Sequence, residues 1–148
     1  MNLQDILWFA ENARRQQVGP LNVYYMAQGA EWYLEHWVLP PTIPDLLTLA
    51  QLVEPNHNTG KAFRNVNVRV GAYLAPDWAE VPRLMDNLIV ADLPPDEWYR
   101  EYELIHPLRD GNGRTGAVLW NGARWRANLG KFGVWEHPPD FYRRDWFK

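Results

Sequence analysis

His106, Asp110, Gly111, Asn112, Gly113 and Arg114 crowd into the run His106-Pro107-Leu108-Arg109-Asp110-Gly111-Asn112-Gly113-Arg114-Thr115. The two glycines permit backbone geometries closed to other residues, and their amides can turn inward as an anion-binding nest. Such a nest leading into a helix start adds unpaired N–H groups and a dipole that favours phosphate. Arg114, in the first turn, offers a forked charged contact to a phosphate oxygen. Asp110 offers a hard carboxylate at the rim, suited to a Mg²⁺ that already carries phosphate oxygens. His106 is the nearby group able to take a proton near neutral pH. Each signal alone is ordinary, since His before Pro often closes a helix and Asp-Gly-Asn-Gly often makes a turn. Together they predict a phosphoryl- or nucleotidyl-transfer site.

The elements that must position this segment are mostly helical. Leu3, Ile6, Leu7, Ala10 and Ala13 recur at helical spacing within residues 2–18, before Gly19-Pro20. A second helix is predicted from about Leu21 to Leu39, broken by Pro40-Pro41. Thr42 followed by Asp45 reads as a capping box opening a third helix through Val53. The clear β signal is the alternation Asn65-Val66-Asn67-Val68-Arg69-Val70, with Tyr73-Leu74 as a returning strand. Asp77 and Glu80 cap a helix whose Val81, Leu84, Met85, Leu88 and Ile89 form an apolar stripe. Pro94-Pro95 starts a helix that must end near His106, because Pro107 follows. The last helix is predicted from about Asn112 to Asn128, with Gly130 as its stop. The aromatic, Pro-broken tail 131–148 should pack across the helices.

Composition narrows the class of function. A length of 148 residues suits one domain with its own core. With 15 Lys+Arg against 18 Asp+Glu the chain is mildly acidic, which argues against nucleic acid as a partner. No apolar run could span a bilayer, so no membrane association is expected. Residues 1–15 have no signal-peptide layout, and cysteine is absent. Disulfides and thiolate chemistry therefore drop out, and a reducing cytoplasm is the expected compartment. Nine Trp and seven Tyr are many for this length, enough to build a core or line a binding surface.

The motif resembles that of the Fic family, His-Pro-Phe-x-Asp/Glu-Gly-Asn-Gly-Arg-x-x-Arg. His106, Pro107, Asp110, Gly111, Asn112, Gly113 and Arg114 match it, with Leu108 in place of Phe. Gly60-Lys61-Ala62-Phe63-Arg64, then Asn67-Val68-Arg69-Val70-Gly71 and Pro76, look like the family's flap hairpin. The helix 81–90 resembles the one after the flap, and Leu119-Trp120 is similar to one bacterial branch. The resemblance implies a mainly α-helical, all-α class domain over 1–148 with a short β-hairpin flap. Its core would cover about 42–130, with N-terminal helices at 2–39. It implies transfer of AMP from ATP, with Mg²⁺, to a Ser, Thr or Tyr hydroxyl of a target protein. His106 would be the base and Asp110 the metal ligand. Gly111, Asn112, Gly113 and Arg114 would hold the nucleotide, and Arg114 would also stabilise developing charge. The flap residues Val66, Asn67, Val68 and Arg69 would pair with an extended target segment.

The motif's second arginine is replaced by Ala117. Losing one charged phosphate contact costs roughly 1.5–3 kcal/mol, about one to two powers of ten in rate or affinity. Arg109 or Arg69 are candidates to approach the vacated space. Glu11-Asn12 matches the second half of the family's inhibitory motif, Ser/Thr-x-x-x-Glu-Gly/Asn, with Leu7 at the Ser/Thr position. Glu11 is thus readable as inhibitory or as a plain surface glutamate. Two alternatives stay open beside AMP transfer. One is phosphotransfer as in the related Doc toxins, which resemble this motif but carry Lys where Gly113 stands. The other is a degenerate Fic domain that binds nucleotide or protein without turnover. His36 reads as packing, and His57 and His137 as loop histidines without partners at metal spacing. Arg143-Arg144 reads as a solvated pair or docking element, and Tyr73 and Trp78 as possible contacts to base or target.

Overall fold

The computed structural model describes residues 2–37 and 40–140. Helix formation follows local signals closely. Helix α1, Leu3–Arg15, opens on a reciprocal capping box between Asn2 and Asp5, and α2, Pro20–His36, opens on its proline. Helix α3, Ile43–Val53, carries the expected capping box, with Thr42 accepting from Asp45 N and Asp45 accepting from Thr42 N. Asp77 caps a short 3-10 turn, Trp78–Glu80, which leads directly into α4, Val81–Val90. Helix α5, Pro95–Ile105, ends as Pro107 requires, and α6 runs Asn112–Arg126. The left-handed residue closing α6 is Asn128, with φ 57°, ahead of the expected stop at Gly130. Residues 38–39 and 141–148, including Arg143-Arg144, lie outside the described residues.

The β element is shorter than the alternation predicts. Strands β1, Arg69–Val70, and β2, Tyr73–Leu74, pair antiparallel with Arg69 opposite Leu74 and Val70 opposite Tyr73. The Ala75 N–H adds one bond to the Val68 carbonyl. Residues 65–68 have no longer partner strand and run as a loop, in which Asn67 Oδ1 accepts from the Trp78 N–H. A strand pattern is realised only where a second strand lies opposite, and the returning segment supplies two residues.

Helix α6 runs through the middle, buried continuously from Arg114 to Gly122. Its small residues let aromatic rings lie against its backbone. A Cβ on Gly116 would meet Tyr102 at 2.7 Å and Tyr99 at 2.9 Å, and one on Gly122 would collide with Tyr33. One core cluster joins Phe9, Met26 and Ala30 of the first two helices to Leu46 and Val53 of α3, Met85 of α4, Tyr102 of α5 and Val118 of α6. The first two helices are thus built into the same core as the motif helix. Trp135 in the tail stacks on Trp8, and the Glu136 backbone exchanges two bonds with the Asn121 side chain, so the described part of the tail, up to residue 140, packs across the helices. The rest of the expected tail lies outside the described residues. No helix among the described residues is long and apolar enough to cross a membrane.

Candidate active site

The motif forms the turn between α5 and α6. His106 caps α5 in the left-handed conformation, φ 52° and ψ 61°, and Leu108 then drops into the core at 1% exposure. The Asn112 side chain clasps that leucine from both sides, accepting from the Leu108 N–H at 2.8 Å and donating to its carbonyl at 2.9 Å. Asn112 is therefore a buried structural clasp, and what it can offer a ligand is its backbone N–H. Gly111, with φ 72°, is the N-cap of α6 and has no side chain to cap it. The first-turn N–H groups at Asn112, Gly113 and Arg114 lie where an anion would complete them.

His106 is half-buried beside this helix start. Burial is the main reason its pKa is lowered to about 4, and the charge of Arg64 adds to the lowering. The Glu103 carbonyl and Asp110 pull the other way without overcoming burial. The imidazole is thus neutral at pH 7, the state a proton acceptor needs.

Asp110 and Arg114 belong to a network the sequence did not reveal. Arg114 is 1% exposed, and its Nη1 donates to Asn22 Oδ1 at 2.6 Å and Glu54 Oε2 at 3.1 Å. Its Nη2 lies 3.6 Å from Asp110 Oδ1. The guanidinium expected to meet phosphate is therefore sunk between α2, α3 and the motif turn. His57 Nδ1 lies 3.2 Å from Glu54 Oε1 and 3.3 Å from Asp110 Oδ2. This corrects the reading of His57 as a histidine without carboxylate neighbours: Glu54 is one helical turn back, and Asp110 arrives through the fold. Glu54, His57 and Asp110 bring ligand atoms within 4.8 Å of one another. Asp110 is half exposed at the rim, where its Oδ1 accepts from the Gly111 N–H at 2.7 Å, and a carboxylate so placed is of the type that a hard cation takes as ligand.

Two further side chains hold the turn in place. Asn58, 7% exposed, donates to the Ala50 and Asp110 carbonyls. Arg64, 3% exposed, donates to the carbonyls of Ile105 and His106. Asn22, Glu54, Asn58 and Arg64 all escaped the sequence reading as site residues. Arg64 belongs to the flap resemblance without this role, and the available signal for Glu54 is its three-residue spacing to His57.

Of the flap residues, Val66, Asn67 and Arg69 are exposed and Val68 is half-buried. The Tyr73 hydroxyl donates to the Leu104 carbonyl, whereas Trp78 is 45% exposed. Ala117 borders a cavity of about 410 Å³ shared by Asn12, Gln16, Glu103, Gly113 and His137. The arginine lining it is Arg15; among the described residues neither Arg69 nor Arg109 reaches it. Glu11 is not among the residues lining this cavity, and is held by Arg14 at 2.6 Å and by the cavity-lining Arg15 at 3.1 Å. Those two arginines hold its carboxyl down at about 2. Its neighbour Asn12 is the residue that turns inward, at 4% exposure. His36 stacks on Trp32 and bonds its carbonyl, and His137 stacks on Trp8, so both pack.

Two solved structures share this architecture. One is a Fic family protein from Desulfovibrio desulfuricans G20, with a TM-score of 0.65 and 24% identity over 86% of this chain and 48% of that one. The other is a Fic domain containing signaling protein from Bacteroides thetaiotaomicron VPI-5482, with a TM-score of 0.57 and 22% identity over 72% of this chain and 48% of that one. The chain thus spans about half the length of each. No family model and no curated protein matches the sequence. With five α-helices packed with the central motif helix among the described residues, and a short hairpin beside the motif turn, the chain has the fold of Fic proteins.

Proposed function

We propose that this domain is a Fic-type protein adenylyltransferase that moves AMP from ATP to a Ser, Thr or Tyr hydroxyl of a target protein. The observation that carries the reading is a neutral, half-buried His106 held beside the uncapped, glycine-led N-terminus of α6. The target hydroxyl attacks the α-phosphorus, its proton passes to His106, and pyrophosphate leaves. Because Nδ1 is buried, Nε2 is the atom that takes the proton. The first-turn N–H groups at Asn112 and Gly113 stabilise the charge that develops on phosphate oxygen. Asp110 would hold Mg²⁺, which supplies charge neutralisation when bound. Arg114 acts from beneath, fixing Asp110 and the turn through Glu54 and Asn22. The exposed edge near Val66 to Arg69 receives an extended target segment by strand addition.

Ala117 and the burial of Arg114 favour a second reading, in which nucleotide binds without turnover. Incubating the chain and its His106→Ala variant with ATP labelled at either the α- or the γ-phosphate, together with candidate target proteins, separates the cases. AMP transfer predicts α-label on protein, lost in the variant while nucleotide binding persists. Label from the γ-position would instead make it a phosphotransferase, and binding without transfer a binding module. Full activity in the variant would sink the mechanism.

A further inference from the structure

Arg64 is a buried guanidinium whose side-chain hydrogen bonds all run to backbone carbonyls. Nε donates to the His106 carbonyl at 2.7 Å, Nη1 to Val66 at 2.8 Å, and Nη2 to Pro76 at 2.5 Å and Ile105 at 3.2 Å. Its own N–H donates to the Pro107 carbonyl at 2.9 Å. Three of these acceptors, on Ile105, His106 and Pro107, belong to the end of α5 and the turn that aims the imidazole. The other two, on Val66 and Pro76, bracket the hairpin on both sides.

Two facts give this arrangement consequence. His106 stands in a left-handed backbone conformation that side-chain-bearing residues rarely adopt, so something must hold it there. A cation at a helix C-terminus also satisfies carbonyls that have no partner within the helix. The planar guanidinium can fork to several acceptors in fixed directions, which a lysine ammonium cannot reproduce.

We propose that Arg64 is a positioning residue that locks the His106 turn and both ends of the hairpin into one unit. It keeps the proton acceptor at a fixed distance from whatever segment pairs with the hairpin. Arg64 touches neither nucleotide nor target and acts through the backbone of His106. This rests on the reading of His106 as the base.

The test compares wild type with Arg64→Lys, which keeps the charge and loses the fork. In transfer assays kcat should fall tenfold to a hundredfold, with the KM for ATP within about twofold, as a misplaced acceptor would give. The ring resonances of His106, read by NMR without any substrate, should move in Arg64→Lys, while the Trp125 indole signal stays. Should wild type show no transfer, the NMR arm still decides, so failure of this inference and of the enzymatic reading stay distinct. Unchanged His106 resonances, or a lowered Tm with unchanged kcat per folded molecule, would overturn the proposal. Hydrogen exchange on wild type guards against a variant that fails to fold. The amides of Arg64, Ala75 and His106 should open together, within about tenfold of one another, and independent opening would overturn the locked unit.

Discussion

Replacing Arg114 by Met decides whether this arginine is an open phosphate ligand, as its motif position suggests, or a buried clamp. The variant leaves Glu54, whose side chain is 6% exposed, without its buried cation. Breaking one side of a buried ion pair costs about 3–5 kcal/mol. The lost bond to Asn22 is part of the same network, so the two losses do not add fully. An expected loss of about 4 kcal/mol corresponds to a Tm drop of roughly 8–16 °C for a chain of this size. Glu54→Leu should cost less, because Arg114 keeps Asn22 and the half-exposed Asp110. The double variant Arg114→Met with Glu54→Leu removes both charges and should recover most of the stability. Urea unfolding at pH 7 of wild type, the two single variants and the double variant gives the coupling energy, expected at about 3 kcal/mol or more. Nucleotide binding is measured on the same samples. Stability of Arg114→Met within about 1 kcal/mol of wild type, with binding lost at least tenfold, would refute the clamp.

Two more outcomes follow from the geometry. His106 titrates at about 4 when folded against an ordinary 6.5, so between those values the unfolded chain binds the extra proton. Stability is therefore fully present above pH 6.5 and falls by about 3 kcal/mol as pH drops through 4; His106→Gln should flatten that slope in urea melts taken across the range. Ala117→Arg should place a guanidinium in the 410 Å³ cavity beside Gly113 and raise ATP affinity tenfold or more by titration calorimetry. Adding Glu11→Gly should change nothing, since the Glu11 carboxylate is already engaged by Arg14 and Arg15; a loss of activity in Ala117→Arg that Glu11→Gly restores would refute this reasoning.

The helices were legible because their signals are local. Thr42 and Asp45 stand three residues apart and cap each other, Pro95 opens α5, and Pro107 forbids its continuation. The motif turn was legible for the same reason, since Gly111 and the residues that close it are chain neighbours; the Asn112 clasp on Leu108, also local, went unread because Asn112 was expected to hold nucleotide. The strand pattern at 65–68 failed because a strand is defined by what lies opposite, and the returning chain offers only Tyr73–Leu74. The chemistry of the charged groups depended on the tertiary structure altogether. Arg114 meets Glu54 across 60 positions and Asn22 across 92, while Arg64 reaches His106 across 42. His57 finds Asp110 only once α3 and the motif turn pack. A guanidinium in solvent is a free phosphate ligand, whereas one buried against a carboxylate is a structural clamp. Residue type sets the range of such roles, and the partners that long-range packing delivers select among them.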